Sequence, residues 1–385
     1  MTEVKNLDKA AIRIKQAVKN KENIVLFSDA DLDGVASLII LEESIKSLGG
    51  KVSLAYFPNR ETQGYGLTEV VLEDIKSYAP GLLILSDSGV TTFKEIKIAK
   101  EMGFSVIVVD HHEILNNKLP EADIIIDPKQ ESDSYPFKLM AACGLCFRLA
   151  EKIIGDSEDT KSLRQGFVEL AALGTISDMM PKEYDNQEII QQGLYHLANS
   201  QRPGLKVLID IFEGEQLASS ELASKIISVL QLTDFEKNHT ESYLLLTKGE
   251  EVEVAKLARL LIEKSLNRHS LIKELVRETK QECEQENSCI VFNGGNGIPH
   301  LLTGNIASKL CNRLKKPCFI YAGKNGVSRG SVRMPKGING VEALNHCKDL
   351  LDVYGGHPQA AGFTIKNENL EKFKGCLTKY FESNH

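Results

Sequence analysis

Short apolar runs alternate with amphipathic stretches through the opening third of the chain. Residues 24–27, 52–57, 82–85, 106–109 and 124–126 are runs of strand length, rich in β-branched residues, and 34–48, 68–78 and 92–102 carry apolar residues at helical spacing between them. This alternation predicts an α/β fold, a parallel sheet with helices on both faces. Ligands of such sheets gather beyond the carboxyl ends of the strands. Beyond a helical stretch at 167–173, a polar run at 181–186 is expected to close this core, and from 188 to 281 the pattern is mostly helical, with 248–261 its clearest amphipathic stretch. A smaller α/β unit is expected to follow, opening with a strand at 288–292, passing Gly294-Gly295-Asn296-Gly297 and a helix at 304–313, and reaching a strand at 318–321. The expected domains are 1–187, a helical connector 188–281, and 282–385. No repeat of fixed period and no low-complexity tract interrupts this plan.

Four segments that follow apolar runs carry the candidate chemistry: Asp29-Ala30-Asp31-Leu32-Asp33-Gly34, Ser86-Asp87-Ser88-Gly89, Asp110-His111-His112-Glu113 and Ser177-Asp178. Hard divalent cations require carboxylate oxygens, Mn²⁺ also accepts imidazole, and paired ions need a carboxylate they can share. The four segments supply ligands enough for two ions. Gly34 lets the chain turn, so the aspartates of the first segment can fan around a strand end. A calcium loop is excluded, because the twelfth residue counted from Asp29 is Ile40, where that loop places glutamate, and residues 23–27 read as strand where it requires a helix. Any one aspartate could serve only as a helix cap.

With these motifs the chain resembles the DHH phosphoesterases, and within them the RecJ-like single-strand exonucleases. Further segments share the resemblance in order: Phe57-Pro58-Asn59-Arg60 with Gly64-Tyr65-Gly66-Leu67, Asp127-Pro128-Lys129-Gln130 with Tyr135-Pro136, and Gly330-Ser331-Val332-Arg333 with Gly355-Gly356-His357-Pro358-Gln359-Ala360-Ala361-Gly362. The resemblance implies that Asp29, Asp31 and Asp87 hold one metal ion and that Asp33, Asp87, His111 and Asp178 hold the other, Asp87 bridging. Catalysis would involve Asp87, Asp110 and His112. His112 is free to hydrogen-bond a phosphate oxygen or to assist the leaving group, and Asp110 orients an imidazole. Mn²⁺ is preferred over Mg²⁺ because imidazole suits a hard octahedral ion poorly. Arg333 and His357 are the implied phosphate contacts, with Gly355 and Gly356 letting backbone amides approach an anion and Arg60 and Tyr65 lining the same groove.

Composition narrows the setting. The 385 residues, 42% of them hydrophobic, suffice for one or two good cores. A net charge of −7 excludes a generic nucleic-acid coat, so phosphate attraction must come from bound metal and from local basic clusters. The candidates are Lys309, Arg313, Lys315 and Lys316, then Lys324, Arg329, Arg333 and Lys336. Eight scattered cysteines suggest a reduced, cytosolic chain, and Cys143 with Cys146, lying in an apolar helical stretch, read as buried thiols. Residues 1–21 are charged and helical in pattern, unlike a signal peptide, and no stretch is apolar and long enough to span a bilayer.

Three departures from the family pattern stand out. Phe27 occupies the place where many DHH enzymes carry a histidine, so the first ion would rely on Asp29, Asp31 and Asp87 alone. Residues 225–234 contain no arginine where bacterial RecJ grips its strand. Because the sequence ends soon after the Gly-Gly-His segment, a terminal oligonucleotide-binding fold of the RecJ type is not among the expected domains. The expected function is Mn²⁺-dependent exonucleolytic hydrolysis of single-stranded DNA or RNA to mononucleotides. Beyond nucleic acid, the implied partner is a replication or repair protein of the GINS kind. Two alternatives stay open: a phosphodiesterase for short oligoribonucleotides, cyclic dinucleotides or 3′-phosphoadenosine phosphate, and a non-catalytic replication subunit. A scaffold, however, has no physical need for so many convergent ligands.

Overall fold

A computed structural model describes residues 3–60, 62–114, 117–213, 217–232, 234–236, 238–285 and 288–384. Met1 and Thr233, which fall in segments discussed above, lie outside the described residues. The chain forms two compact units, Met1–Ser265 and Leu266–His385.

The first unit opens with α1 (Leu7–Asn20), β1 (Asn23–Ser28), α2 (Leu32–Ser47), β2 (Leu54–Tyr56), α3 (Glu69–Ile75), β3 (Gly81–Ser86), α4 (Phe93–Glu101), β4 (Phe104–Val109) and β5 (Ile124–Ile126). The five strands form a fully parallel sheet in the order β2-β1-β3-β4-β5. Successive strand residues point to opposite faces, and the two faces fill separate cores. Ile24, Leu26, Leu82, Ile84, Ile107 and Val109 join a core with α1 and α2, whereas Val25, Phe27, Leu83, Leu85, Val106 and Val108 join one with α3 and α4. Burial on both faces explains why these strands read as continuous apolar runs. After β1 the chain moves to one side of the sheet, and after β2 it crosses to the other. The switch point therefore lies between β1 and β3, where a crevice opens at the strand ends.

Helices α5 (Ala142–Ile154), α6 (Lys161–Ser177), α7 (Tyr184–Leu197), α8 (Pro203–Glu213) and α9 (Ser219–Leu230), the hairpin β6 (Phe235–Glu236) and β7 (His239–Thr240), α10 (Glu241–Thr247) and α11 (Glu251–Gln285) complete this part of the chain. The polar run at 181–186 breaks the helical path only locally. Leu205, Ile226, Leu245 and Leu261 bury into the same core as α2. Polar ties reinforce that packing: Arg202 holds Glu43 at 2.7 and 2.9 Å, and Tyr243 donates to the buried Glu42 at 2.7 Å. Residues 188–265 thus pack into the first unit because their apolar faces have nowhere else to be covered. Helix α2 is buried nearly all round, from Leu32 to Ile45, as its hydrophobic composition demands.

The second unit contains β8 (Val291–Gly295), α12 (Thr303–Leu314), β9 (Cys318–Lys324), β10 (Val327–Arg333), α13 (Gly340–His346), β11 (Val353–His357), β12 (Ala360–Lys366) and α14 (Leu370–Asn384). Its sheet runs β11-β12-β10-β9-β8, parallel only between β8 and β9. The last three strands escape a pattern search because glycine interrupts them. At Gly330 a Cβ would lie 2.2 Å from the Phe363 ring, so packing against that ring excludes any side chain there. Cys347 and Cys376 are joined in a disulfide, which corrects the expectation of uniformly reduced thiols. Cys143 and Cys146 are fully buried free thiols. Among the described residues, no helix is long and apolar enough to cross a membrane.

Candidate metal centre

The acidic segments leave the strands on the edges of the crevice. Asp29 follows β1 directly, Asp31 caps α2 by accepting from the Gly34 amide at 3.1 Å, and Asp33 sits in the first helical turn. The helix begins at Leu32, earlier than its pattern suggests, and this turn separates the three carboxylates in direction. Gly34 is obligatory, since a Cβ there would lie 2.2 Å from the Asp29 carbonyl oxygen. Asp87 follows β3 in a left-handed conformation, φ 53°, with its amide bonded to the Val109 carbonyl. Asp110 follows β4 with its amide on the Ile126 carbonyl, so both loops are tied to neighbouring strand ends.

The side chains converge from these anchors. The His111 Nε2 lies 3.4 Å from Asp87 Oδ1, 3.6 Å from Asp178 Oδ2 and 3.7 Å from Asp33 Oδ2. Such separations are too long for good hydrogen bonds and short enough for the groups to enclose one cation. Ligand atoms of Asp33, His111 and Asp178 lie within 4.8 Å of one another, as do those of Asp29, Asp31 and Asp87 and those of Asp87, His111 and His112. Asp87 therefore belongs to two of these three sets and meets the Asp33 and Asp178 set through His111. The Oδ2 of Asp178 is buried without a hydrogen-bond partner, as expected of an oxygen reserved for a cation.

The surrounding residues fix these ligands. Both oxygens of the buried Asp33 accept from the first amides of α5, Ala142 at 2.9 Å and Cys143 at 2.8 Å, a favourable place for an anion at a helix start. Asp110 accepts from the amides of Val90, His111 and His112 and holds His112 Nδ1 at 2.7 Å. Lys129 Nζ donates to the His111 carbonyl at 2.6 Å, which gives the Asp127-Pro128-Lys129-Gln130 segment its role of bracing the histidine loop. Gly174 leaves room where a Cβ would fall 2.6 Å from Cys143 Sγ and 3.3 Å from Asp33. Neither the α5 amides nor Gly174 carries a sequence signature. Lys129 could have been found only through its motif.

The charge distribution is that of a cation site. Burial first, then the neighbouring aspartates, pushes Asp87 well above the carboxylate range and Asp178 up to about 8. Burial also raises Asp29, whereas at Asp31 the nearby Arg60 and the Gly34 amide outweigh burial and lower it. Burial lowers His111. His112 goes the other way, to about 9, because its bond to Asp110 overrides burial. At Asp110 the hydrogen bond from His112 likewise overcomes burial and depresses the carboxyl.

These shifts set a pH dependence. Relative to unfolded values of about 3.9 for Asp and about 6.5 for His, folded Asp178 and His112 retain extra protons, and stability falls with rising pH wherever the folded state binds more of them. The chelated protein is therefore expected to melt at progressively lower temperature from about pH 6.5 to about pH 9, the Asp178 share ending near pH 8. Excess Mn²⁺ should flatten the trend. Calorimetry across that range tests it, and a melting temperature that climbs with pH in chelator would contradict it.

Residues 23–175 match the DHH family, N-terminal domain, and residues 287–383 match the DHHA1 domain. The chain carries a DHH domain and a DHHA1 domain. It is 33% identical to the single-stranded-DNA-specific exonuclease RecJ of Bacillus subtilis over 388 aligned residues, covering 98% of this chain and 48% of that protein. With RecJ of Thermus thermophilus it shares 29% identity over 98% of this chain and 54% of the relative. The chain thus spans about half the length of these two RecJ proteins. A crystal structure of exonuclease RecJ bound to manganese superposes with a TM-score of 0.82 at 25% identity, covering 99% of this chain and 95% of that one.

In this DHH chain the expected ligands Asp29, Asp31, Asp33, Asp87, His111 and Asp178 come together, with Asp110 and His112 beside them. Arg60 does not stand free in a groove. It forms ion pairs with Asp29 and Asp31, and Tyr65 covers its guanidinium at 4.7 Å. The remaining expected residues lie in the DHHA1 part. Arg333, Ala360 and His357 form one row across β10, β12 and β11, and Ser331, Gly362 and Gly355 form the next. Residues paired in this way share a sheet face. Glycine and alanine clear that face between Arg333, Ser331 and His357. The Arg333 guanidinium lies against the first turn of α12, and a Cβ on Gly304 would be 3.1 Å from its Nη2. Thr303 Oγ1 and Ser331 Oγ are 2.8 Å apart beside it. No carboxylate pairs with Arg333 among the described residues, and burial lowers its pKa. The helix start at Thr303 and Gly304 and the motif containing Ser331 were expected from the sequence, but none of the three stood among the expected site residues.

Proposed function

We propose that this chain is a metal-dependent phosphodiesterase that removes nucleotides from single-stranded DNA or RNA, with the ligand cluster in the first unit as its catalytic centre and the DHHA1 sheet face as its phosphate receptor. The observation that carries this reading is the position of Asp87, grouped with Asp29 and Asp31 on one side and 3.4 Å from His111, which is itself grouped with Asp33 and Asp178, on the other. The RecJ relatives and the manganese-bound RecJ structure support the substrate class and the choice of Mn²⁺.

Paired divalent cations, when bound, supply Lewis acidity and a water of lowered pKa. The protein residues do the rest. Asp87 holds the two groups in register. His112, its pKa raised by the bond to Asp110 and its ring partly exposed, can donate to a phosphate oxygen or to the departing oxygen, while Asp110 fixes its ring. In the second unit, Arg333 offers its fork to a phosphate, supported by the Ser331 and Thr303 hydroxyls and by the start of α12. Catalysis is thus assigned to residues 1–187 and strand binding to 282–385.

The test is a Mn²⁺-supplemented digestion of 5′-labelled and 3′-labelled single strands, DNA and RNA, beside a dinucleotide and a cyclic dinucleotide. Stepwise shortening of the long strands is expected, and the label lost first gives the direction. Cleavage confined to the dinucleotides would make the chain a small-nucleotide phosphodiesterase, and no cleavage would favour a scaffold.

A further inference from the structure

The two ligand groups are not equally available. Every carboxylate oxygen of Asp29 and Asp31 already has a partner: Asp29 Oδ1 accepts from the Ala30 amide at 2.7 Å and from Arg60 Nε at 2.8 Å, Asp29 Oδ2 accepts from Arg60 Nη2, Asp31 Oδ2 accepts from the same Nη2 at 3.1 Å, and Asp31 Oδ1 accepts from the Gly34 amide at 3.1 Å. In the other group Asp178 Oδ2 is buried and unpartnered. Arg60 is bonded directly to the carboxylates of the first group, whereas in the second Asp33 accepts from the backbone amides of Ala142 and Cys143, and His112 and Lys129 act on Asp178 only through space. Phe27, buried and stacked on Tyr56 at 6.1 Å, adds no ligand on the occupied side.

Arg60 sits on a loop that is braced yet hinged. The Asn59 amide donates to Gln63 Oε1 at 2.9 Å, the Gln63 amide to the Asn59 carbonyl at 2.8 Å, and Gln63 Nε2 to the Tyr56 hydroxyl at 2.6 Å. Beyond these contacts Gly64 and Gly66 take left-handed conformations, φ 86° and 67°, Gly66 in open space and Gly64 beside Thr68, and Tyr65 between them is 67% exposed. A cation on Asp29 and Asp31 needs the oxygens that Arg60 occupies, and two positive charges cannot share them cheaply.

We propose that Arg60 ranks the two metal positions: Asp33, Asp87, His111 and Asp178 take their ion first, and Asp29, Asp31 and Asp87 take theirs only as Arg60 leaves. This ranking rests on the two-ion reading above. It makes the second ion the weakly held one, and it frees a guanidinium fork beside the centre when that ion enters.

Calorimetric titration of the chelated full chain with Mn²⁺ tests the ranking. Two binding events are expected for the wild type, separated by at least about tenfold in affinity. Asp29→Asn should remove only the weaker event. Arg60→Gln should tighten the weaker event by about tenfold or more and leave the stronger unchanged, and Tyr65→Ala should act in the same direction by less. A weaker event that is unchanged or loosened in Arg60→Gln, with two ions still bound, overturns the ranking and spares the two-ion reading. A single ion bound to the wild type and to Arg60→Gln alike overturns both. A second ion gained only by Arg60→Gln supports the ranking in its strongest form. Should Arg60→Gln fail to fold, the decision passes to Tyr65→Ala, where an unmoved weaker event overturns it.

Discussion

Asp87→Asn is expected to lower Mn²⁺-dependent hydrolysis by at least about a thousandfold while raising the melting temperature of the chelated protein. Both effects have one source. Asp87 is buried among Asp29, Asp31, Asp33 and Asp110, all of which oppose its ionisation, so in the absence of cations its carboxylate is a cost to the fold. The amide removes that cost and also removes the anionic oxygens that face both ligand groups. Asparagine tolerates the left-handed backbone at this position as well as aspartate does, which makes it a cleaner substitution than alanine. Each kcal/mol relieved should appear as roughly 2–4 °C. Activity assays with excess Mn²⁺ and calorimetry in chelator measure the two halves separately. Retained activity would end the role of Asp87 as the shared ligand, and a lowered melting temperature would show that its charge is not the burden inferred here.

Arg333→Ala is expected to raise KM for long single strands by about tenfold to a hundredfold and to leave kcat on a small chromogenic phosphodiester nearly unchanged. The guanidinium has no carboxylate partner among the described residues and bonds only the Val332 carbonyl, at 2.9 Å. A partly buried arginine left without an anion is costly unless a ligand supplies one. Steady-state kinetics on the two substrates decides the matter, since equal losses on both would place Arg333 in the chemistry or in the fold instead of in strand binding.

The sheet of the first unit was legible because its strands are buried on both faces and so read as unbroken apolar runs, each followed by polar residues that cannot continue it. The positions of Asp29, Asp87 and Asp110 at strand ends follow from that pattern. Asp178 ends a helix, α6, and only its adjacency to Ser177 after an apolar stretch marked it. What stayed hidden depends on paths through space. Nothing near Arg60 in sequence announces a partner 31 residues away, and the grip of the α5 amides on Asp33 uses backbone groups that every residue possesses. In the second unit β10, β11 and β12 are threaded with glycines at 330, 355, 356 and 362, so the alternation that betrays a strand is missing where the sheet face is kept clear.

The bonds from Ala142 and Cys143 to Asp33 set this aspartate apart from the other candidate ligands. In the proposed reading Asp87 and Asp178 serve a cation at the expense of the fold, whereas Asp33 also fastens the start of α5 beneath the sheet. If a gene of this kind drifted after losing its catalytic purpose, selection would release the first two and still hold the third. A lineage of silent descendants should therefore shed Asp87 and Asp178 early and keep Asp33 as the last remnant of the centre.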